Sequence, residues 1–560
     1  MNLFERILKA RGLSGERKAI FLSPNYDRKH DPFLLPDMQK AVDRLVKARE
    51  KQEKITIYGD YDIDGLTATT VLIDSLKSFG FEHVSAFIPN RFVEGYGLTV
   101  DAVERIIADG AELIVTVDCG SLSHKEIARA KELGVQVIVT DHHNVAEVQP
   151  EAVAVINPKR LLADYPDEYE KYLLKPESKK KIYPFLDLAG VGVAFKLVQA
   201  LQTRLDGLEL GQEKWLLDLV ALGTVCDIVT LVDENRTNVF YGLKVLAQTR
   251  RPGLKALMAV AGVRPETVNA RSLGFGLGPR MNASGRLETA QYTLDLLTTS
   301  DNYEALELAR QLDDMNKNRR REQDEIFKEA IIEAEERKAD PVLVVSAKGW
   351  NHGIVGIVAA KLLERYQKPT YVLAVHGDEA KGSARSYGDF SAADAIRAAD
   401  DIITKGGGHK LAAGVTLPAT NIDAFRERVN QFYKDKELFN QPLLLLPKAD
   451  TEAELDDLDE ELLRQLATLE PYGSGNPQPI VRINDVLVMN VRRMGDSSQH
   501  VKLTLRNAAG RKIDALAFSA PAHFFVEPGT KVHVWCTIEL NEWNGNRSVE
   551  GKLLHLELAE

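Results

Sequence analysis

Cysteine is scarce in this chain. Three residues in 560, Cys119, Cys226 and Cys536, are an odd number with no C-x-x-C spacing, which excludes a disulfide scaffold and a thiolate zinc site. They read as small packing residues in a reducing compartment. No run approaches the ~20 consecutive apolar residues of a membrane span, and the opening MNLFERILKARG has neither the apolar stretch nor the cleavage site of a secretory leader. A cytoplasmic chain without a membrane partner is therefore expected. Internal repeats and low-complexity tracts are missing as well. So is an excess of positive charge, since the net charge is −11, and this argues against indiscriminate binding of polyanions. It does not exclude nucleic acid, because the charge is uneven. Residues 251–300 carry six Arg/Lys against three Asp/Glu, whereas 450–461 hold eight acids.

What is present is a soluble composition, 44% hydrophobic and 27% charged, in a length that predicts about three or four domains. From 55 to about 160, Val/Ile-rich runs (ITIYGD, HVSAFIP, LIVTVD, VQVIVTD, AVAVINP) alternate with helical ones that end in Gly. That alternation predicts a parallel sheet with right-handed crossovers. Residues 160–184 interrupt it as an insertion, whose Lys179-Lys180-Lys181 could face a phosphate backbone or simply water. Residues 302–340 contain neither Gly nor Pro and predict a connecting helix of roughly 50 Å at ~1.5 Å per residue. Its Arg319-Arg320-Arg321 could face nucleic acid or form a solvated face. A second α/β unit spans 341–445, an acidic linker 446–469, and 470–560 is strand-rich with turns such as Asn544-Gly545, as in a small barrel of the OB type.

Three acidic stretches follow strand-like runs: DYDIDG at 60–65, Asp118-Cys119-Gly120, and Asp141-His142-His143. In open α/β sheets ligands bind beyond the carboxyl ends of the strands. If the backbone stays extended, Asp60, Asp62 and Asp64 face one way, with neighbouring Cα atoms about 6.6 Å apart at ~3.3 Å per residue. Gly65 would then permit a sharp exit into a helix. Asp118 is a bridging candidate, and Asp227, ending an apolar helix, needs a partner. Mixed Asp and His donors suit Mn²⁺, with Mg²⁺ also possible, and two cations roughly 3.5–4 Å apart suit phosphodiester hydrolysis. No Ser-His-Asp or reactive-Cys arrangement is evident.

DYDIDG, VDCGS and TDHHN resemble the successive motifs of the DHH phosphoesterase superfamily. GPRMNASGR (278–286), HGIVGIVA (352–359) and GGGHKLAAG (406–414) resemble its RecJ branch of single-strand-specific 5′→3′ DNA exonucleases, and the likeness runs in order along nearly the whole chain. It implies a parallel-sheet DHH catalytic domain (1–301), the long helix (302–340), a smaller α/β DHHA1 substrate-binding domain (341–445) and an OB-fold nucleic-acid-binding domain (470–560).

The resemblance further implies one cation on Asp60, Asp62 and Asp118, and a second on Asp64, Asp118, His142 and Asp227. Smaller DHH enzymes have a His where Tyr58 stands, and Asp60 is the substitute. Asp118, His142 and His143 are the catalytic set, with His143 positioning the scissile phosphate. Substrate contacts fall to Arg280, Asn282, Ser284 and Arg286, whose alternation suits several phosphate oxygens. His352, Gly407, Gly408 and His409 join them, and Arg91 with Ser383 and Arg385 would take a terminal 5′-phosphate. A cleft between two lobes would admit a single strand and exclude a duplex. Trp535 and Trp543 are stacking platforms or packing residues of the barrel. Single-strand-binding protein and a RecQ-type helicase are the implied partners of a monomer acting in DNA repair and recombination. Two other readings are an oligonucleotidase or cyclic-dinucleotide phosphodiesterase, which usually lacks the barrel, and a non-catalytic scaffold, which would have lost ligands.

Overall fold

A computed structural model describes residues 1–560 apart from 92, 165, 168, 170, 172–181, 439–445, 496, 497, 544, 545 and 560, and apart from the side chains of Trp543 and Asn546. The Lys179–181 cluster, the 544–545 turn and the Trp543 side chain therefore lie outside the described residues. The chain forms two compact units: residues 1–285, 289–310 and 447–560 make one, 286–288 and 311–446 the other.

In the first unit, β1 (Ile55–Gly59), β2 (Val84–Phe87), β3 (Leu113–Val117), β4 (Gln136–Thr140) and β5 (Ala154–Ile156) pair in the order β2-β1-β3-β4-β5. Every pairing is parallel. β1 and β3 are buried along their whole length, as expected of Val/Ile-rich strands covered by helices on both faces. The strand order reverses at β1, so the segments leaving β1 and β3 diverge at a topological switch point. Asp60 and Asp118 are the first residues beyond those two strands.

The extended reading of 60–64 is corrected by the structure. β1 stops at Gly59, and a helix, Ile63–Ser78, begins three residues after Asp60 with Asp62 as its N-cap. Gly65 lies inside this helix instead of at an exit. Its role is close approach, because a Cβ there would sit 2.6 Å from the Asp60 carbonyl oxygen. The GPRMNASGR segment is likewise helical, Gly278–Leu287.

The second unit has a mixed sheet of β6 (Leu343–Lys348), β7 (Thr370–His376), β8 (Glu379–Arg385), β9 (Lys405–Gly408) and β10 (Ala412–Pro418), in the order β6-β7-β8-β10-β9. The long helix runs Asn302–Glu336 and stops short of 340, where Asp340 precedes Pro341 and the α conformation is disfavoured. On it Arg319 is buried, donating to Gln323 (2.7 Å) and Asn316 (2.9 Å), while Arg320 and Arg321 are exposed.

The C-terminal strands β11 (Thr451–Glu452), β12 (Val481–Met494), β13 (His500–Arg506), β14 (Lys512–Ala517), β15 (Lys531–Trp543) and β16 (Asn546–Leu558) follow the order β11-β12-β13-β14-β16-β15. β12 also pairs with β15, which closes an OB-type barrel. The acidic stretch is not a linker. Leu455, Leu458, Leu462, Leu466 and Leu469 enter the barrel core, as do Leu3, Phe4, Ile7 and Leu8 of the first helix, Leu3–Ala10. Arg11 fixes this junction with bonds of 2.7 and 3.1 Å to Asp450. Among the described residues no helix is long and apolar enough to cross a membrane.

Candidate metal centre

Three turns beyond strand ends and one helix end deliver the polar groups. Asp62 caps the Ile63–Ser78 helix, its Oδ1 accepting from the N–H groups of Asp64 (2.9 Å) and Gly65 (3.1 Å). Asp64, fully buried, accepts from the N–H groups of Gly190 (2.6 Å) and Val191 (2.8 Å) at the start of the Gly190–Leu201 helix. Asp118 takes φ +61, a left-handed conformation uncommon for a residue with a side chain. Gly190 is needed opposite it, since a Cβ there would be 2.6 Å from Asp118 Oδ1. Asp227 ends the Leu217–Cys226 helix.

Among the described residues donor atoms converge in three sets, each within 4.8 Å: Asp60, Asp62 and Asp118; Asp64, His142 and Asp227; Asp118, His142 and His143. His142 Nε2 lies 3.1 Å from Asp118 Oδ1, 3.6 Å from Asp227 Oδ2 and 3.8 Å from Asp64 Oδ2. Burial, then the neighbouring His143, holds its pKa down at about 3, so the ring is neutral and these contacts are not ion pairs. The ring donates to the backbone carbonyl of Leu188, yet Nε2 has no hydrogen-bond partner. Its lone pair faces carboxylates.

Asp60 Oδ1, Asp118 Oδ1 and Asp227 Oδ2 are also buried without hydrogen-bond partners. Such atoms are costly unless something compensates them. Burial, then adjacent carboxylates, pushes Asp60 and Asp118 well above the usual range, Asp64 up to about 7 and Asp227 up to about 9. Converging acids that cannot all ionise beside an imidazole lone pair are the donor set of a divalent-cation site. The residues fit two such cations.

Asp141 plays a different part. Its oxygens accept from the N–H groups of Ser121 (3.0 Å), His142 (2.7 Å) and His143 (3.1 Å) and from His143 Nδ1 (2.9 Å). Burial pushes its carboxyl up, but the His143 bond, the charges of the two imidazoles and the backbone N–H together outweigh that and keep it well below the ordinary range. Burial opposes the charge on His143, and the Asp141 bond raises its pKa regardless. Tyr96, unremarked in the sequence, sets its hydroxyl 3.0 Å from His143 Nδ1. Arg91 stacks over Tyr61, 5.3 Å from the ring centre, and its charge reaches Asp60.

The remaining candidates scatter. Being helical, 280–286 does not alternate. Ser284 is fully buried and bonded to Met281 O (3.0 Å) and Thr293 Oγ1 (3.1 Å), so a substrate contact is withdrawn for it. Arg280, which donates to Gly276 O (2.7 Å), and Asn282 are half-buried on a helix that meets Tyr61 O through Gly285. In the second unit Arg286 donates to Gly353 O (3.0 Å), beside His352. Ser383 and Arg385 share a face of β8, and both would lie 3.3 Å from a Cβ on Gly356. Gly407 and Ser383 flank Gly414 on either side in the sheet, and Gly408 and His409 are exposed. Trp535 is half-buried on the barrel's outer face between Arg482 (4.8 Å) and His555 (5.0 Å).

Sheet, switch point and donor cluster together define a divalent-cation site at the carboxyl ends of a parallel α/β sheet. Comparison with known proteins narrows this. Models of the DHH family N-terminal domain, the DHHA1 domain and the RecJ OB domain match residues 54–224, 339–435 and 449–555. The single-stranded-DNA-specific exonuclease RecJ of Bacillus subtilis is 37% identical over 97% of this chain and 66% of its own length. That of Salmonella typhimurium is 34% identical over 92% of this chain and 89% of its own. The chain thus spans just under two thirds of the Bacillus relative. The crystal structure of RecJ in complex with Mn²⁺ from Thermus thermophilus superposes with TM-score 0.79 at 30% identity, covering all of this chain and 76% of that one. The chain belongs to the RecJ family.

Proposed function

We propose that this chain is an exonuclease that hydrolyses single-stranded DNA from the 5′ end to mononucleotides, using two divalent cations, Mn²⁺ in preference to Mg²⁺. The observation that carries this reading is the quartet of buried, unpartnered donor atoms in Asp60, Asp118, His142 and Asp227. Asp60, Asp62 and Asp118 would hold one cation; Asp64, Asp118, His142 and Asp227 the other. When bound, the cations lower the pKa of a water and neutralise phosphoryl oxygens. Asp141 orients the His143 ring and favours its protonated form, in which the ring can donate to a phosphate oxygen. Asp64, fixed by two backbone N–H groups, holds its carboxylate in one orientation as substrate enters.

Candidate contacts to a terminal 5′-phosphate are Arg91 and, in the second unit, Ser383 with Arg385. Arg280, Asn282, Arg286, His352, Gly407, Gly408 and His409 serve the backbone, and Trp535 offers a base a stacking surface. The domain limits 1–301 and 341–445 belong to this reading, with the connecting helix ending at Glu336 and the barrel domain extended back to include the leucines from 455 onward. So do a monomeric state, cytoplasmic location, a role in repair and recombination, and partnership with single-strand-binding protein and a RecQ-type helicase, all supported by family membership. Digestion of 5′- and 3′-labelled single strands and duplexes tests it. With Mn²⁺, mononucleotides should leave the 5′ end of single strands only, and chelator should stop release. Cleavage persisting in chelator, or starting from the 3′ end, would refute it.

A further inference from the structure

The loop that carries Asp227 is braced from the far end of the chain. Asp227 N–H closes its helix on Gly223 O (2.9 Å), and Ile228 then takes φ +64. A β-branched residue holds that conformation only when its surroundings impose it. Thr230 N–H donates to Asp187 Oδ2 (2.9 Å), the Thr230 hydroxyl donates to the same oxygen, and Asn235 Nδ2 donates to the carbonyls of Asp187 (2.5 Å) and Thr230 (3.0 Å). Leu231 N–H donates to Ser474 O (2.7 Å), in the C-terminal domain.

The turn that presents Ser474 is built for contact. Gly473 and Asn476 exchange backbone bonds of 2.9 and 3.1 Å. A Cβ on Gly473 would lie 2.6 Å from Leu231 Cδ1, and one on Gly475, at φ +69, 2.9 Å from Thr230 Cβ. Asn476 is buried and donates to Leu469 O (2.8 Å) and Pro471 O (2.9 Å), and its Oδ1 accepts from Arg11 (3.1 Å). Arg236, also buried, donates to Thr468 O (3.2 Å) and Leu469 O (2.8 Å). Both ends of 230–236 thus hold the same short segment. Asp187 passes the constraint on: its neighbour Leu188 bonds the His142 ring, and Gly190 and Val191 hold Asp64.

We propose that the 473–476 turn is a positioning element of the metal centre. It sets the affinity for the cation held by Asp64, Asp118, His142 and Asp227, and leaves the one held by Asp60, Asp62 and Asp118 nearly untouched. Groups that orient ligands from behind typically govern about 10–100-fold in metal affinity. The inference rests on the two-cation reading above. Calorimetric titration of the full-length chain with MnCl₂ tests it, alongside the Mn²⁺ electron paramagnetic resonance spectrum, where neighbouring ions couple. The wild type should take up two ions. Gly475→Val should keep one at wild-type affinity and weaken the other by about 10–100-fold, with the coupled signal lost at low metal and restored, together with hydrolysis, by excess Mn²⁺. Gly510→Val strains another barrel turn, at φ +90 with open space around it, and should keep both affinities. Arg236→Lys reads the same quantity if Gly475→Val does not fold. Two unchanged affinities in a folded variant would overturn the inference alone. Fewer than two ions on the wild type would overturn the two-cation reading and the inference with it.

Discussion

The Leu217–Cys226 helix carries a carboxylate at each end, and the two are treated oppositely. Asp218, in the first turn, sits where the helix dipole favours an anion. It accepts from Leu219 N–H (2.8 Å) and the Thr249 hydroxyl (2.7 Å) and faces Arg251 (3.5 Å), which also bonds Asp74 (2.6 Å). Asp227 sits at the last carbonyls, where the dipole opposes an anion, and its Oδ2 has no partner. Both acids are largely buried in one helix. The first is complete within the protein; the second is complete only with a cation. Burial of an acid therefore says little, and the count of satisfied atoms separates structure from site.

Asp118→Ala should have the largest effect, because that carboxylate enters two of the three donor sets. Release of labelled nucleotide should fall by more than about 10²–10³-fold, while single-strand binding in chelator stays unchanged. Wild-type turnover would break the contrast outright. Next, Asp227→Asn and Asp218→Asn should move stability in opposite directions. In chelator, Asp218→Asn should cost about 1–3 kcal/mol, seen as a lower Tm. Asp227→Asn removes a carboxyl that ionises without a partner only above about pH 9, so it should raise Tm there and weaken Mn²⁺ uptake.

A pH series sharpens the comparison further. Asp64 and Asp227 have folded pKa values raised to about 7 and about 9, so the metal-free fold holds protons that the unfolded chain gives up near pH 4. Their contribution is full below that value and is lost as pH rises through about 7 and then about 9. Tm in chelator should fall over that window, and Mn²⁺ affinity should rise over it as the ligands deprotonate. A Tm in chelator that is flat with pH would refute the assignment. Tyr96→Phe should show the smallest effect, a loss of less than about tenfold in turnover for one hydrogen bond, with ion stoichiometry intact.

The parallel sheet was legible because Val/Ile runs of strand length alternated with helical ones, three of the five runs ending in an acid. The donor residues were legible by type, since acids and imidazoles at adjacent strand ends have no role in a core. Their local geometry was not. Acids at 60, 62 and 64 carry the period of a strand, but an N-cap followed by an acidic first turn has the same spacing. Two glycines and a proline hid the Gly278–Leu287 helix. There the glycines permit contact: a Cβ on Gly278 would sit 2.8 Å from Cys226 Sγ. Eight acids masked the leucines of 455–469, whose helical spacing feeds the barrel core. Tyr96 has no charge and no ligand chemistry to mark it, so only its distance to His143 identifies it.

The shared core of the first helix and the last domain has a consequence for synthesis. Leu3, Phe4, Ile7 and Leu8 leave the ribosome more than 400 residues ahead of the strands that cover them. At about 5–20 residues per second that wait is roughly 20 to 90 s. For that interval a nascent amphipathic helix has an uncovered apolar face, a natural target for chaperones that attend polypeptides during translation.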